Sequence, residues 1–326
     1  MSINLIAELC QNHKGDFTAV EKMVDAAIES GATHVKIQHM HVRNLSFRPQ
    51  FEQENEIDGE LVSIKRPFQP EYDRLKDAEL KSHESKKFVE YVKSKGAIPM
   101  TTCFSRDSIP DILREGYESV KVASYDCASY QLIRELSEDF REIIVSTGAT
   151  FNNEVEKASA ILRDSGVEFS LLHCVTIYPT PLSEMHLAKM EWLKKFSDTF
   201  GFSDHSLVER DGVLASKAAI VLGAKIIERH FTILEKDQTK DGPVSITPHH
   251  MRELSNFAKL TRDEQQREME LALPSWKEIL LGDADRELSS AELLNREYYR
   301  GRFASPRKGG ENDSRYMIFN WEETGL

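Results

Sequence analysis

Two lysines occupy positions where an ammonium group is costly. Lys36 in Val35-Lys36-Ile37 and Lys121 in Val120-Lys121-Val122 are each flanked by β-branched residues. An unpaired charge inside such a run costs on the order of several kcal/mol in desolvation. Brought near one another, the two call for an anion between them, and a phosphate or carboxylate is the obvious candidate. Two histidines, His205 and His230, close later runs, with Asp204 and Glu228 close by in sequence. Imidazoles at the ends of consecutive strands can share one divalent ion, with neighbouring carboxylates orienting the rings. Ser146-Thr147-Gly148 adds hydroxyls and a glycine whose backbone N–H groups suit an oxyanion. His173, between Leu172 and Cys174, fits either a hydrogen-bonded interior histidine or a further ligand.

These residues must be held by something regular, and the chain supplies it. Short β-branched runs alternate with longer amphipathic stretches, the pattern of repeated βα units and a parallel sheet. Strands are predicted at Asn4–Glu8, His34–Gln38, Ile98–Thr102, Ser119–Ala123, Glu142–Ser146, Ser170–His173, Thr199–Phe202 and Lys225–Glu228. Eight strands close a barrel. Helices are predicted at Val20–Ser30, His83–Lys95, Ser108–Glu115, Tyr130–Ser137, Asn153–Ser165, Leu187–Phe196 and Arg210–Leu222, with an eighth from Pro248. In the first, Val20, Met23, Val24, Ala27 and Ile28 share one stripe. The fold class is therefore α/β, a (β/α)8 TIM barrel with a short C-terminal extension. In such a barrel the chemistry lies at the C-terminal strand ends. Glu8, Lys36, Gln38, Thr102, Lys121, Ser124, Ser146, His173, His205 and His230 all fall on or just after predicted strands.

Composition narrows the function further. A net charge of −12 over 326 residues, with no dense basic cluster, argues against nucleic acid or an anionic membrane as partner. Cys10, Cys103, Cys127 and Cys174 are far apart, so neither a zinc knuckle nor a disulfide framework is expected. They read as small interior hydrophobes in a reducing compartment. The first residues lack a signal-peptide pattern and no stretch is long enough to span a bilayer, which implies a cytoplasmic protein. The segment from His41 to Lys81, with Pro49, Pro67 and Pro70, reads as a long loop over one barrel mouth.

The ordered motifs resemble the sialic acid synthase family. They are Ile6-Ala7-Glu8-Leu9 with Asn12-His13-Lys14-Gly15-Asp16, Val35-Lys36-Ile37-Gln38, Thr101-Thr102-Cys103-Phe104, Lys121-Val122-Ala123-Ser124 and Ser146-Thr147-Gly148. Leu171-Leu172-His173-Cys174 with Tyr178-Pro179-Thr180-Pro181, Gly201-Phe202-Ser203-Asp204-His205-Ser206, and Glu228-Arg229-His230-Phe231-Thr232 continue the series. The resemblance implies an enzyme that condenses phosphoenolpyruvate with an aldose, N-acetylmannosamine or a variant hexose, to give a 2-keto-3-deoxy sugar acid and phosphate. It implies that His205 and His230 hold a divalent metal, manganese first, with magnesium or cobalt as alternatives. Lys36, Thr102, Lys121, Ser124 and Ser146 would bind phosphoenolpyruvate, with Gln38 and Tyr178 lining the pocket and Glu8 beside the reacting carbons. Asp126 and Asp241 stand where the family keeps carboxylates for the acceptor, and Thr176 where it has Asn or Ser.

The resemblance covers about residues 3 to 255. Residues 1–280 are then the synthase barrel, and 281–326 an extension that is not a complete antifreeze-like domain. That family domain carries an arginine reaching across a dimer to the sugar. The expectation here is an altered acceptor, or one held by Arg300, Arg302 or Arg307, in a possible homodimer. Other readings are a metal-dependent barrel aldolase or hydrolase acting on sugar phosphates, and a non-catalytic sugar-binding relative.

Overall fold

The alternation of apolar runs and amphipathic stretches resolves into a closed ring of strands. The computed structural model describes residues 3–57, 59–310 and 313–326. The ring consists of β1 (Asn4–Cys10), β2 (His34–His39), β3 (Ile98–Cys103), β4 (Ser119–Val122), β5 (Glu142–Ser146), β6 (Glu168–His173), β7 (Phe200–Asp204) and β8 (Ile226–His230). Every neighbouring pair is parallel, and β8 returns to β1 through Glu8 opposite His230. All eight strands were legible in the sequence, with ends displaced by two residues or fewer.

The helices packed outside are α1 (Phe17–Glu29), α2 (Ser82–Ser94), α3 (Ile109–Glu115), α4 (Tyr130–Asp139), α5 (Asn152–Ser165), α6 (Lys189–Leu193), α7 (Leu214–Val221) and α8 (Pro248–Ala258). In α1 the Asp16 carboxylate accepts from Thr18 N at 2.8 Å, and Val20, Met23, Val24 and Ala27 are buried against the sheet. Two helices differ from expectation. The Leu187–Phe196 stretch holds only the five residues of α6. The Arg210–Leu222 stretch is interrupted at Gly212, whose φ of +53° ends the short helix Val208–Asp211 before α7 begins.

Alternation along the strands builds the barrel interior in layers. Ile6, Met100, Ile144, Leu172 and Ile226 form a separate apolar cluster, the floor. Two residues further along each of those strands stands Glu8, Thr102, Ser146, Cys174 or Glu228, so an apolar layer gives way to a polar one. Gly201 belongs to the floor: a Cβ there would lie 2.2 Å from Ile226 O and 2.8 Å from Leu172 Cδ2.

The two segments outside the barrel repeat meet over its mouth. The segment after β2 is more ordered than a loop, with a hairpin of Asn55–Ile57 and Glu60–Ser63 and a helix at Phe68–Ala78. The C-terminal extension also contains a helix, Ser290–Tyr299, capped reciprocally by Ser289 and Glu292. This extension is tied to barrel loops at several points. Ser46 N donates to Arg302 O (3.0 Å), Asn295 Nδ2 to Thr176 O (2.7 Å), Arg296 Nη1 to Ala149 O (2.7 Å) and Asn320 Nδ2 to Phe104 O (2.9 Å). Among the described residues, no helix is long and apolar enough to cross a membrane.

Candidate active site

Above the floor lies a cavity of about 260 Å³ that the strand ends surround. Six cationic side chains (Lys36, Arg66, Arg74, Lys121, Lys240, Arg302) face it, against three carboxylates (Glu8, Glu228, Asp241). The excess of positive charge suits an anionic ligand.

At its inner end the two lysines meet as the sequence implied, though they are not bare. Lys36 Nζ donates to Thr102 Oγ1 at 2.8 Å, is ion-paired with Glu8, and lies 3.6 Å from Glu228 Oε2. Lys121 Nζ is 2.5 Å from Glu228 Oε1, which also accepts from Ser203 Oγ at 2.8 Å. Both lysines thus have carboxylate partners, yet the cavity exceeds the roughly 30 Å³ share of one liquid water several-fold and leaves room for a small anion. Burial pushes the Lys36 ammonium down to about 7, with Glu228 opposing the shift and Lys121 adding to it. Burial alone would raise the Glu228 carboxyl, but Lys121 and Lys36 outweigh it and hold it well below the carboxylate range. Ser146 Oγ is buried with no hydrogen-bond partner, as a hydroxyl awaiting a ligand would be.

Beside this network stand His205 and His230. Their ring centroids are 5.3 Å apart with planes at 81°, and Tyr178 packs edge-on to His205 at 4.6 Å. Burial lowers both imidazoles, and the neighbouring His230 deepens the shift at His205, so both are neutral, the form that binds metals. The Nδ1 atoms of both rings are buried and without hydrogen-bond partners. A buried polar atom left so costs about 1–3 kcal/mol, and an ion bound at these rings would recover it. A divalent metal therefore fits the donors present. Cys10, His230 and Asp241 also place donor atoms within 4.8 Å of one another.

The sequence-predicted residues divide in two. Glu8, Lys36, Gln38, Thr102, Lys121, Ser124, Ser146, Tyr178, His205, His230 and Asp241 all line the cavity. Thr176 and Asp126 are not among its lining residues. Thr176 lies behind Ser124, their hydroxyls 3.5 Å apart. Asp126 Oδ1 accepts from Ser129 Oγ (2.8 Å) and from Asn320 Nδ2 of the extension (3.1 Å), and burial lifts its carboxyl to about 6. The carboxylates expected to orient the histidines do otherwise as well. Glu228 serves the lysines, while Asp204 is ion-paired with the buried Arg229 and accepts from Ser206 N (2.8 Å) and Ser216 Oγ (2.5 Å). His173 is an interior histidine, its Nε2 2.7 Å from Met185 O. Cys10 is not simply packed: it lines the cavity and its Sγ donates to Asp241 Oδ2 at 2.9 Å.

Sequence reasoning did not reach Asn295, Tyr299, Arg66, Arg74 or Lys240. Of the three candidate arginines in the extension, Arg302 alone lines the cavity. Arg300 stacks on Trp321 and Arg307 pairs with Glu322. A signal for the extension's helix was present: Ser289-x-x-Glu292 before Leu293-Leu294 is a capping box.

Comparisons with known proteins give a consistent outcome. Residues 23–268 match the NeuB family. The chain is 30% identical over 261 residues to the N,N'-diacetyllegionaminic acid synthase of Campylobacter jejuni, covering 77% of this chain and 73% of that protein. It is 27% identical to the pseudaminic acid synthase of the same species, over 92% and 81% of the two chains. Among solved structures, the N-acetylneuraminic acid synthetase of Leptospira borgpetersenii in complex with citrate superposes with a TM-score of 0.68 at 26% identity, covering 91% of each chain.

Proposed function

Because the chain belongs to the NeuB family, we propose that it condenses phosphoenolpyruvate with an aldose, releasing phosphate and forming a 2-keto-3-deoxy sugar acid. The supporting observation is that two buried lysines share one cavity at the strand ends with two imidazoles whose Nδ1 atoms have no hydrogen-bond partner. The enol phosphate binds at the inner end. Lys36 and Lys121 face its phosphate and carboxylate, with Thr102, Ser124 and Ser146 as hydroxyl donors. On binding, the substrate's negative charge favours the ammonium form of Lys36.

His205 and His230 are the residues that would hold the divalent ion, which when bound supplies Lewis-acid polarisation of the aldehyde oxygen. The substrate's methylene carbon forms the new bond to the aldehyde carbon, one water is consumed, and phosphate departs. Glu228 is committed to both lysines, whereas Glu8 is ion-paired with Lys36 alone and is the carboxylate placed to take the water's proton. Gln38 and Tyr178 help to exclude bulk water. The acceptor lies toward the outer end, between the segment after β2 and the extension, where Arg66, Lys240 and Arg302 meet its polar groups. Its identity follows from those contacts, since relatives of similar likeness are named for different sugar acids. A phosphoenolpyruvate-consuming enzyme belongs in the cytoplasm.

The test is phosphate release from phosphoenolpyruvate across a panel of aldoses with a divalent metal, with mass spectrometry of the products. Release that requires both substrates and yields a 2-keto acid is expected. Phosphate release without an aldose, or none with any aldose, would sink the proposal.

A further inference from the structure

One thiol in the cavity stands apart from the other three cysteines. Cys103, Cys127 and Cys174 have no carboxylate hydrogen-bonded to sulfur, whereas Cys10 Sγ lies 2.9 Å from Asp241 Oδ2 across 231 residues of sequence. Cys10 also ends β1 in the left-handed region, with φ of +52°, at the point where the β1–β2 register shifts. For a residue with a Cβ that conformation costs of the order of 1 kcal/mol, and such positions persist where surrounding structure or function holds them. The backbone turn is fixed by Glu8, whose Oε1 accepts from Cys10 N at 2.6 Å. It delivers the sulfur to the wall of the cavity shared by His205, His230 and Asp241.

We propose that Cys10 and Asp241 are ligands of the divalent ion together with the two histidines. This rests on the reading above, that His205 and His230 hold such an ion, and extends it from two protein ligands to four. Cys10, His230 and Asp241 place one donor atom each within 4.8 Å of the others. That limit admits the spread of donors around one ion with metal–nitrogen and metal–sulfur distances of about 2.1 and 2.3 Å. His205 stands outside that trio and joins it through its neighbour: it is 6% exposed, its Nδ1 has no partner, and its ring adjoins His230. On binding, the thiol gives its proton to solvent and the sulfur bonds as thiolate. A thiolate in the set shifts preference from magnesium and manganese toward borderline ions such as cobalt, iron(II) or zinc.

The experiment is a cobalt(II) titration of the full chain followed by absorption and by calorimetry. Wild-type protein is expected to show a sulfur-to-cobalt charge-transfer band in the near ultraviolet at one equivalent. Cys10→Gly removes the sulfur at a position where glycine is conformationally favoured, so the variant folds. It is expected to lose the band and bind cobalt roughly tenfold or more weakly; Cys10→Ser, keeping a side chain of similar size, should behave alike. Tight cobalt binding by wild type without the band, unchanged in Cys10→Gly, overturns this proposal and leaves the histidine reading intact. A band that persists in His205→Ala and His230→Ala but vanishes in Cys10→Gly supports the sulfur ligand and overturns the histidine pair. No cobalt binding by wild type overturns both.

Discussion

The inner and outer halves of the cavity are built differently. The inner half is made of side chains on or just past the hydrogen-bonded strands, with Glu8, Thr102, Ser146 and Glu228 each two residues past an apolar floor position. The outer half is made by the segment after β2 and by the C-terminal extension, which meet through contacts such as Arg302 with Glu71 and Arg48 with the carbonyls of Glu297 and Arg300. Rigid positioning of this kind suits a reaction step that every substrate shares. A wall of loops suits the part of the molecule that chooses among acceptors.

The comparison is broken most directly at the lysines. Lys36→Ala should lower kcat/KM for phosphoenolpyruvate roughly 10²–10³-fold in a coupled phosphate assay, because a preorganised cation is lost; a loss below tenfold would move the anion site elsewhere. Gly201→Ala tests the floor itself. Its Cβ meets Ile226 O with nowhere to go, so a stability loss of about 3 kcal/mol is expected, seen as a lower Tm by calorimetry. At the outer wall, Arg302→Ala should raise KM for the acceptor about tenfold, near 1.4 kcal/mol, while KM for phosphoenolpyruvate stays within twofold. If both constants move together, the halves are not separable.

Two smaller effects sharpen the division. Lys36 has a folded-state value of about 7, so the free protein carries the ammonium below pH 7 and loses it above. Phosphoenolpyruvate affinity by calorimetry should therefore fall between pH 7 and 9, by several-fold or more, and this slope should be absent in Lys36→Ala. Asp126 should be the mildest. Its carboxyl is raised to about 6, so its contribution to stability is present in full below the unfolded value near 4 and lost as pH rises through 6. Asp126→Asn should flatten the Tm-versus-pH curve over that window and leave both KM values unchanged. A raised acceptor KM would return Asp126 to the sugar site.

The same division explains what the sequence revealed. Strand positions such as Lys36 and Lys121 declare themselves through their immediate neighbours, because a charge between β-branched residues is a local anomaly. Arg302, Asn295 and Tyr299 declare nothing locally; they reach the site through tertiary contacts more than a hundred residues away in sequence, such as Asn295 with Thr176. Cys10 was read as packing for the same reason, its carboxylate partner lying on a distant loop. Asp126 shows the converse, a residue matched by motif whose carboxylate the extension's Asn320 engages. The helix at Phe68–Ala78 was hidden by prolines that mark its start rather than a loop, since Pro67 stands at its N-cap.

The stitching of residues 295–320 across the barrel mouth also sets an order of events during synthesis. The strands can close once β8 has left the ribosome, some ninety residues before the last of these ties is made. Until then a nascent chain has its reaction chamber but no roof over it. A growing polypeptide should thus be unable to commit a sugar to chemistry until the roof is in place.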